Sequence, residues 1–182
     1  MSPEDRPEDR PERRPQDRPV VVLVGPPGAG KSTVAALLSD ALGVPSRDTD
    51  ADVEALTGTT IADLFVTEGE ERFRLLEAQA VRDALAEHSG VLALGGGAVV
   101  REETRAALDG HVVVFLDVGL ADAAARVGLG SSRPLLLGNV RSQMKTLLDA
   151  RRPVYESVAT HVVLTDGRTP DDVAEEILSL LA

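Results

Sequence analysis

Gly25, Gly28, Gly30, Lys31 and Ser32 stand in the stretch VVVLVGPPGAGKST at the spacing G-x-x-x-x-G-K-[ST]. Glycines placed this way let consecutive backbone N–H groups curl around phosphate oxygens at the start of a helix. The chemistry this implies is capture of a nucleotide's phosphates. Gly28, Ala29, Gly30 and Thr33 share the cradle, Lys31 reaches the β- and γ-phosphates, and the Ser32 hydroxyl sits on Mg²⁺. A strand-prone run precedes the loop and STVAALLSDAL follows at helical spacing, which is the context the motif requires. Lys31 is one of only two lysines in the chain, so general lysine richness did not put it there.

Other reactive residues are spread more widely. In DTD, Asp48 and Asp50 lie just beyond the expected end of a second strand, the ligand-facing edge of a doubly wound sheet. One carboxylate can hold Mg²⁺ through water and the other can accept a proton from an acceptor hydroxyl. The competing reading is a pair of helix caps. In FRLLE, Arg74 and Glu77 are three apart on one helical face, so the glutamate can brace the guanidinium. LGGG places Gly95, Gly96 and Gly97 beyond a strand, where backbone must come close to something. Arg133 lies in the mobile-looking loop GLGSSRPLLLGN, and Arg151 lies in RRPVY, where Pro153 is expected to end a helix. With Lys31 and Arg74, these arginines form a basic concentration suited to phosphates and an anionic substrate.

Composition narrows what such a site belongs to. The net charge of −11 argues against nucleic acid or an anionic membrane as main partner. The chain has no cysteine, so thiol catalysis is excluded. A guanine reader N-K-x-D is absent, because the only asparagine, Asn139, precedes Val140. A short chain carrying a phosphate loop and an arginine-bearing loop suits a small-molecule kinase. No run approaches membrane-spanning length and the charged N-terminus lacks an apolar core, so a cytoplasmic protein is expected.

The elements that must position these residues follow from patterning. At 182 residues the chain has the size of one domain. Three phenylalanines, one tyrosine and no tryptophan leave Val, Leu and Ala to fill the core, as in a parallel α/β sheet covered by helices. Residues 1–19, a tandem of PEDR-like units, carry proline at every fourth position and nothing apolar to pack, so a disordered tail is expected, with the domain spanning 20–182. Gly43 is a natural end for the first helix, and DTD is expected to begin a polar loop. A long helix is expected over residues 68–88, strands at VLAL and HVVVFLD, a helix at GLADAAARV and another from about Val140 to Arg152. A strand at HVVLTD and a helix from Pro170 to Leu180 complete the chain.

GPPGAGKST, DTD, FRLLE, LGGGAV, RPLL and RRPVY, in this order and at these spacings, closely resemble the shikimate kinase family. The resemblance covers nearly all of the chain from Val20 onward. It implies transfer of the ATP γ-phosphoryl group to the 3-hydroxyl of shikimate, with Mg²⁺, in a monomer. It also implies a three-layer α/β P-loop kinase core with a five-stranded parallel sheet, a substrate-binding helical segment at 49–77 and a mobile lid at 127–138. Lys31 and Ser32 would handle phosphate and metal, Asp48 the metal's outer shell, and Asp50 the acceptor hydroxyls as base. Arg74 and Arg151 would clamp the carboxylate, and Gly95 to Gly97 would meet the ring hydroxyls. Arg133 would reach the transferring group, while Arg126 and Arg168 of RTP would lie near the adenine. A gluconate-type or nucleoside monophosphate kinase and a nucleotide-binding regulatory module are the alternatives. Leu94 replaces a hydroxyl residue common in the family. Asp117 ends HVVVFLD as a metal-binding carboxylate would, but the resemblance puts the equivalent element at VLALGGG, so a loop residue or helix cap is expected there.

Overall fold

The computed structural model describes residues 18–128 and 134–182, with backbone alone for 134–138. Residues 1–17 of the expected tail, 1–19, lie outside these, and so do residues 129–133, with Arg133.

Strand β1 (Val21–Val24) is buried along its whole length, as a central parallel strand must be when helices cover both faces. Helix α1 (Lys31–Leu42) follows and ends at Gly43, whose φ of 66° suits a glycine cap. Strand β2 (Ser46–Asp48) leads directly into α2 (Thr49–Thr57), α3 (Ile61–Glu68) and α4 (Glu70–Glu87). After β3 (Val91–Ala93) come a 3₁₀ turn at Ala98–Val100, α5 (Glu102–Ala107), β4 (Val113–Asp117) and α6 (Leu120–Arg126). Helix α7 (Pro134–Val158), β5 (His161–Leu164) and α8 (Pro170–Leu181) close the fold.

The five strands pair in the order β2-β3-β1-β4-β5, all parallel. Alternate residues of each strand serve opposite layers. Leu23, Val114 and Leu116 pack with Val34 and Leu38 of α1 and Ile177 of α8, whereas Val22, Val24 and Phe115 pack with Val81 and Leu85 of α4 and Tyr155 of α7. A third, smaller cluster of Val53, Leu64, Phe73 and Ala80 joins α2, α3 and α4 away from the sheet.

Four expectations are corrected. DTD opens no loop, because Asp48 is both the last residue of β2 and the cap of α2, accepting from the Asp50 N–H at 2.9 Å. The helix expected over 68–88 starts at Glu70, because Gly69 separates α3 from α4 with φ 84° and ψ 167°, values outside the helical region. Helix α7 runs through Pro153 rather than ending there. An internal proline forfeits one helical hydrogen bond and costs about 3 kcal/mol, and burial of Tyr155 on the next turn with Val154 and Val158 against the core offsets that cost. Asp117 is neither loop nor cap: it closes β4, buried, with Arg152 Nη1 at 2.5 Å from Oδ2.

Candidate active site

The glycine-rich loop connects β1 to α1 at the carboxyl edge of the sheet. Gly28 and Gly30 hold φ of 82° and 89°, so a side chain at either would be strained. Space forbids one as well at Gly28, where a Cβ would stand 2.7 Å from Ala123 O. Gly30 caps α1 without a side chain, leaving the first N–H groups of the helix directed outward. Lys31 Nζ folds back over the loop onto Gly25 O at 2.7 Å and Pro26 O at 3.0 Å. Burial brings this ammonium down to about 8, against the opposing charges of Asp50 and Asp48.

Asp48 ties this loop to the next element. Its Oδ2 accepts from Ser32 Oγ at 3.1 Å while Oδ1 caps α2. Mg²⁺ takes few protein ligands and keeps water and phosphate oxygens in its octahedron. One hydroxyl beside one carboxylate fits that habit. Among the described residues no cluster of three or more histidine, aspartate or glutamate side chains forms a self-sufficient metal cage. Asp50, two residues on, is half-buried, and burial together with the charges of Asp48 and Glu77 pushes its carboxyl up to about 6, with Lys31 opposing.

A cavity of about 520 Å³ runs along the loop from Asp48 and Asp50 to Arg126, Arg168 and Val173. Arg126 Nη1 donates to Gly28 O at 3.1 Å and Nη2 to Thr165 O at 2.8 Å, so it spans the gap between the phosphate loop and the end of β5. Arg168 is fixed by Glu176 at 2.5 Å and by Leu164 O at 2.9 Å. Both line the far end of the cavity.

On the other side of Asp50 lies a second set of residues. Arg74 Nη1 pairs with Glu77 Oε2 at 2.7 Å, with the carboxylate only 2% exposed and the Arg74 guanidinium 5.2 Å from the Phe73 ring centre. Burial pushes the Glu77 carboxyl up, against the charges of Arg74 and Arg151. The three glycines touch all of these. A Cβ on Gly95 would collide with Asp50 Oδ1 and lie 2.7 Å from Glu77 Oε1. One on Gly97 would fall on the Arg74 guanidinium, and one on Gly96 would stand 2.9 Å from Pro27 Cδ. Arg151, half-buried on α7, is close enough for its charge to act on Lys31, Glu77 and Tyr155.

The structure thus gathers Lys31, Ser32, Asp48, Asp50, Arg74, Gly95 to Gly97 and Arg151 around one centre, with Arg126 and Arg168 at the far end of the adjoining cavity. Leu94 lines that cavity where a polar neighbour could have stood. Two residues here, Thr49 and Tyr155, were not singled out by sequence reasoning, although one divides DTD and the other is the only tyrosine of the chain.

A sequence profile described as shikimate kinase matches residues 27–182, most of the chain. The chain belongs to the shikimate kinase family. It is 60% identical to a shikimate kinase of Salinispora arenicola over 163 residues, which is 90% of this chain and 98% of that protein. With a shikimate kinase of Streptomyces coelicolor it shares 55% over 159 residues, covering 87% and 93% of the two. Among solved structures, a shikimate kinase from Acinetobacter baumannii in complex with shikimate superposes with a TM-score of 0.82 at 35% identity, covering 90% of this chain and 92% of that one. A gluconokinase from Sinorhizobium meliloti, at TM-score 0.54 and 22% identity, shares the fold alone.

Proposed function

We propose that this member of the shikimate kinase family moves the γ-phosphoryl group of ATP to the 3-hydroxyl of shikimate, forming shikimate 3-phosphate and ADP. The observation that carries this reading is the placement of Asp50 between a phosphate loop on one side and a braced arginine with three side-chain-free residues on the other. Shikimate presents one carboxylate and three hydroxyls. Arg74, held by Glu77, and Arg151 supply paired cations for the carboxylate, and a guanidinium matches that planar anion with two parallel N–H donors. Gly95, Gly96 and Gly97 let backbone amides approach ring hydroxyls that any side chain would keep away.

Asp50 accepts the proton of the 3-hydroxyl as the new O–P bond forms and the bond between the γ-phosphorus and the ADP oxygen breaks. Its elevated pKa suits a base that works near neutrality. Lys31, Gly28 to Thr33 and Arg133 act on the phosphates, and Arg126 and Arg168 on the adenine end. Ser32 and, through water, Asp48 would hold Mg²⁺, which would neutralise charge on the phosphates. Phosphoryl transfer demands chiefly position and charge neutralisation, and effective molarities of about 10⁵–10⁸ M are reachable when donor and acceptor are held in line.

Residues 49–77, with their own cluster of Val53, Leu64 and Phe73, form the acceptor-binding segment, and 127–138 the lid. ATP dependence supports the cytoplasm as compartment, and the likeness to the family supports a monomer. No helix among the described residues is long and apolar enough to cross a membrane. The test is ADP release with Mg-ATP and, separately, shikimate, gluconate, AMP and CMP. Stimulation by shikimate alone is expected. Preference for gluconate or a nucleotide would move the chain to another acceptor class, and stimulation by none would favour a regulatory module.

A further inference from the structure

The triple-glycine segment has no side chains with which to hold itself in place, and glycine is the residue with the most backbone freedom to lose. Yet its backbone stands so close to Asp50, Glu77 and Arg74 that a Cβ added at Gly95 or Gly97 would collide with them. Two hydroxyls from distant parts of the chain reach it. Thr49 Oγ1 accepts from the Gly95 N–H at 3.1 Å, and Tyr155 Oη donates to Gly96 O. Thr49 is fully buried between the two aspartates of DTD, and Tyr155 is buried one helical turn beyond Arg151 with its ring stacked on Phe115, centroids 5.0 Å apart. Gly95 O and Gly97 O are taken by Ala98 N and Val100 N. The N–H groups of Gly96 and Gly97 meet no acceptor among the described residues.

We propose that Thr49 and Tyr155 are positioning residues for the acceptor: their hydroxyls clamp the Gly95–Gly97 backbone from both sides and so set where its amides meet the ring hydroxyls. Each clamp rises from an element that also carries a charged acceptor contact, α2 with Asp50 and α7 with Arg151. The spacing between amides, base and carboxylate clamp is therefore fixed through two short chemical links. Neither hydroxyl lies in the phosphate loop, so the effect is confined to the acceptor side. This inference rests on the proposed acceptor.

Thr49→Val and Tyr155→Phe remove the hydroxyls and keep the shape. Each is expected to raise KM for shikimate about 5- to 50-fold and lower kcat less, because displacement of a positioned group by about an ångström can cost as much as 10²-fold. KM for ATP should stay within about twofold, and Thr49→Ser should restore most of the loss. Phe115→Leu, which disturbs the ring stack and leaves both hydroxyls, should lower Tm and leave KM for shikimate nearly unchanged. A fall in Tm with both KM values unaltered would make the hydroxyls packing elements and overturn the proposal, as would equal rises in both KM values. Wild-type protein with no shikimate-dependent ADP release would overturn the functional reading and this one with it, whereas active wild type with indifferent variants would overturn this one alone.

Discussion

The proposed phosphate side and the proposed acceptor side of the site are built by opposite means. Residues 25–33, the proposed phosphate cradle, are one continuous stretch in which backbone conformation and a helix start would do the binding. The acceptor side draws on Asp50 of α2, Arg74 and Glu77 of α4, Gly95 to Gly97 after β3, and Arg151 and Tyr155 of α7. The first depends chiefly on local geometry. The second depends on long-range packing, including its own small core, and a fault in any contributing element reaches the acceptor.

The largest expected effect falls where the two sides meet. Asp50→Asn keeps the size of the side chain and removes the proton acceptor, so kcat should fall roughly 10²- to 10⁴-fold while nucleotide binding, read by calorimetry, survives. Asp48→Asn should instead raise the Mg²⁺ concentration for half-maximal rate and recover in part as Mg²⁺ increases. Recovery of the Asp50 variant by Mg²⁺, with the Asp48 variant indifferent, would exchange their roles.

Next come the clamp arginines. Charge-assisted hydrogen bonds contribute about 1.5–3 kcal/mol, so Arg74→Ala or Arg151→Ala should weaken shikimate binding about 10- to 150-fold and barely alter ATP binding. Equal losses for both ligands would erase the division between the two sides.

The pH dependence joins one group from each side. Asp50 acts ionised, and with its pKa raised to about 6 the rate should fall roughly tenfold per unit as pH drops below that value. Lys31 acts protonated, and with its pKa lowered to about 8 the rate should fall again as pH rises beyond it. The profile of kcat/KM should be a bell between these limits. A flat profile from pH 5 to 7 would remove Asp50 as the base.

The smallest expected effect on catalysis, and the most selective, concerns the acceptor-side core. Leu64→Ala should cost about 2–5 kcal/mol of stability and raise KM for shikimate a few-fold with ATP affinity unchanged. Thermal melts alongside both KM values check it.

This contrast also explains what could be read from the sequence. The phosphate loop was legible because its geometry is written in consecutive residues, and Arg74 with Glu77 because helical spacing brings positions three apart together. Arg126 and Arg168 acquired roles only through resemblance, since no local pattern relates Arg126 to Gly28 or Thr165, and Arg151 read only as one member of a basic concentration until the resemblance made it a clamp. Thr49 and Tyr155 escaped because their partners lie 46 and 59 residues away. Local rules also misplaced ends: Pro153 reads as a stop, yet Tyr155 packs onto Phe115 and the helix continues. Asp117 reads as a loop residue or helix cap, and only the fold buries it at the end of β4 with Arg152 against it.

The most direct test of the acceptor side as a shikimate site is the product itself. Wild-type protein, Mg-ATP and shikimate should yield one phosphorylated compound, with phosphorus-to-proton coupling in the NMR spectrum at the carbon bearing the 3-hydroxyl and one equivalent of ADP. A phosphoryl group on another hydroxyl, or ADP without a phosphorylated ring, would contradict the placement of Asp50, the glycines and the arginine clamp around that hydroxyl.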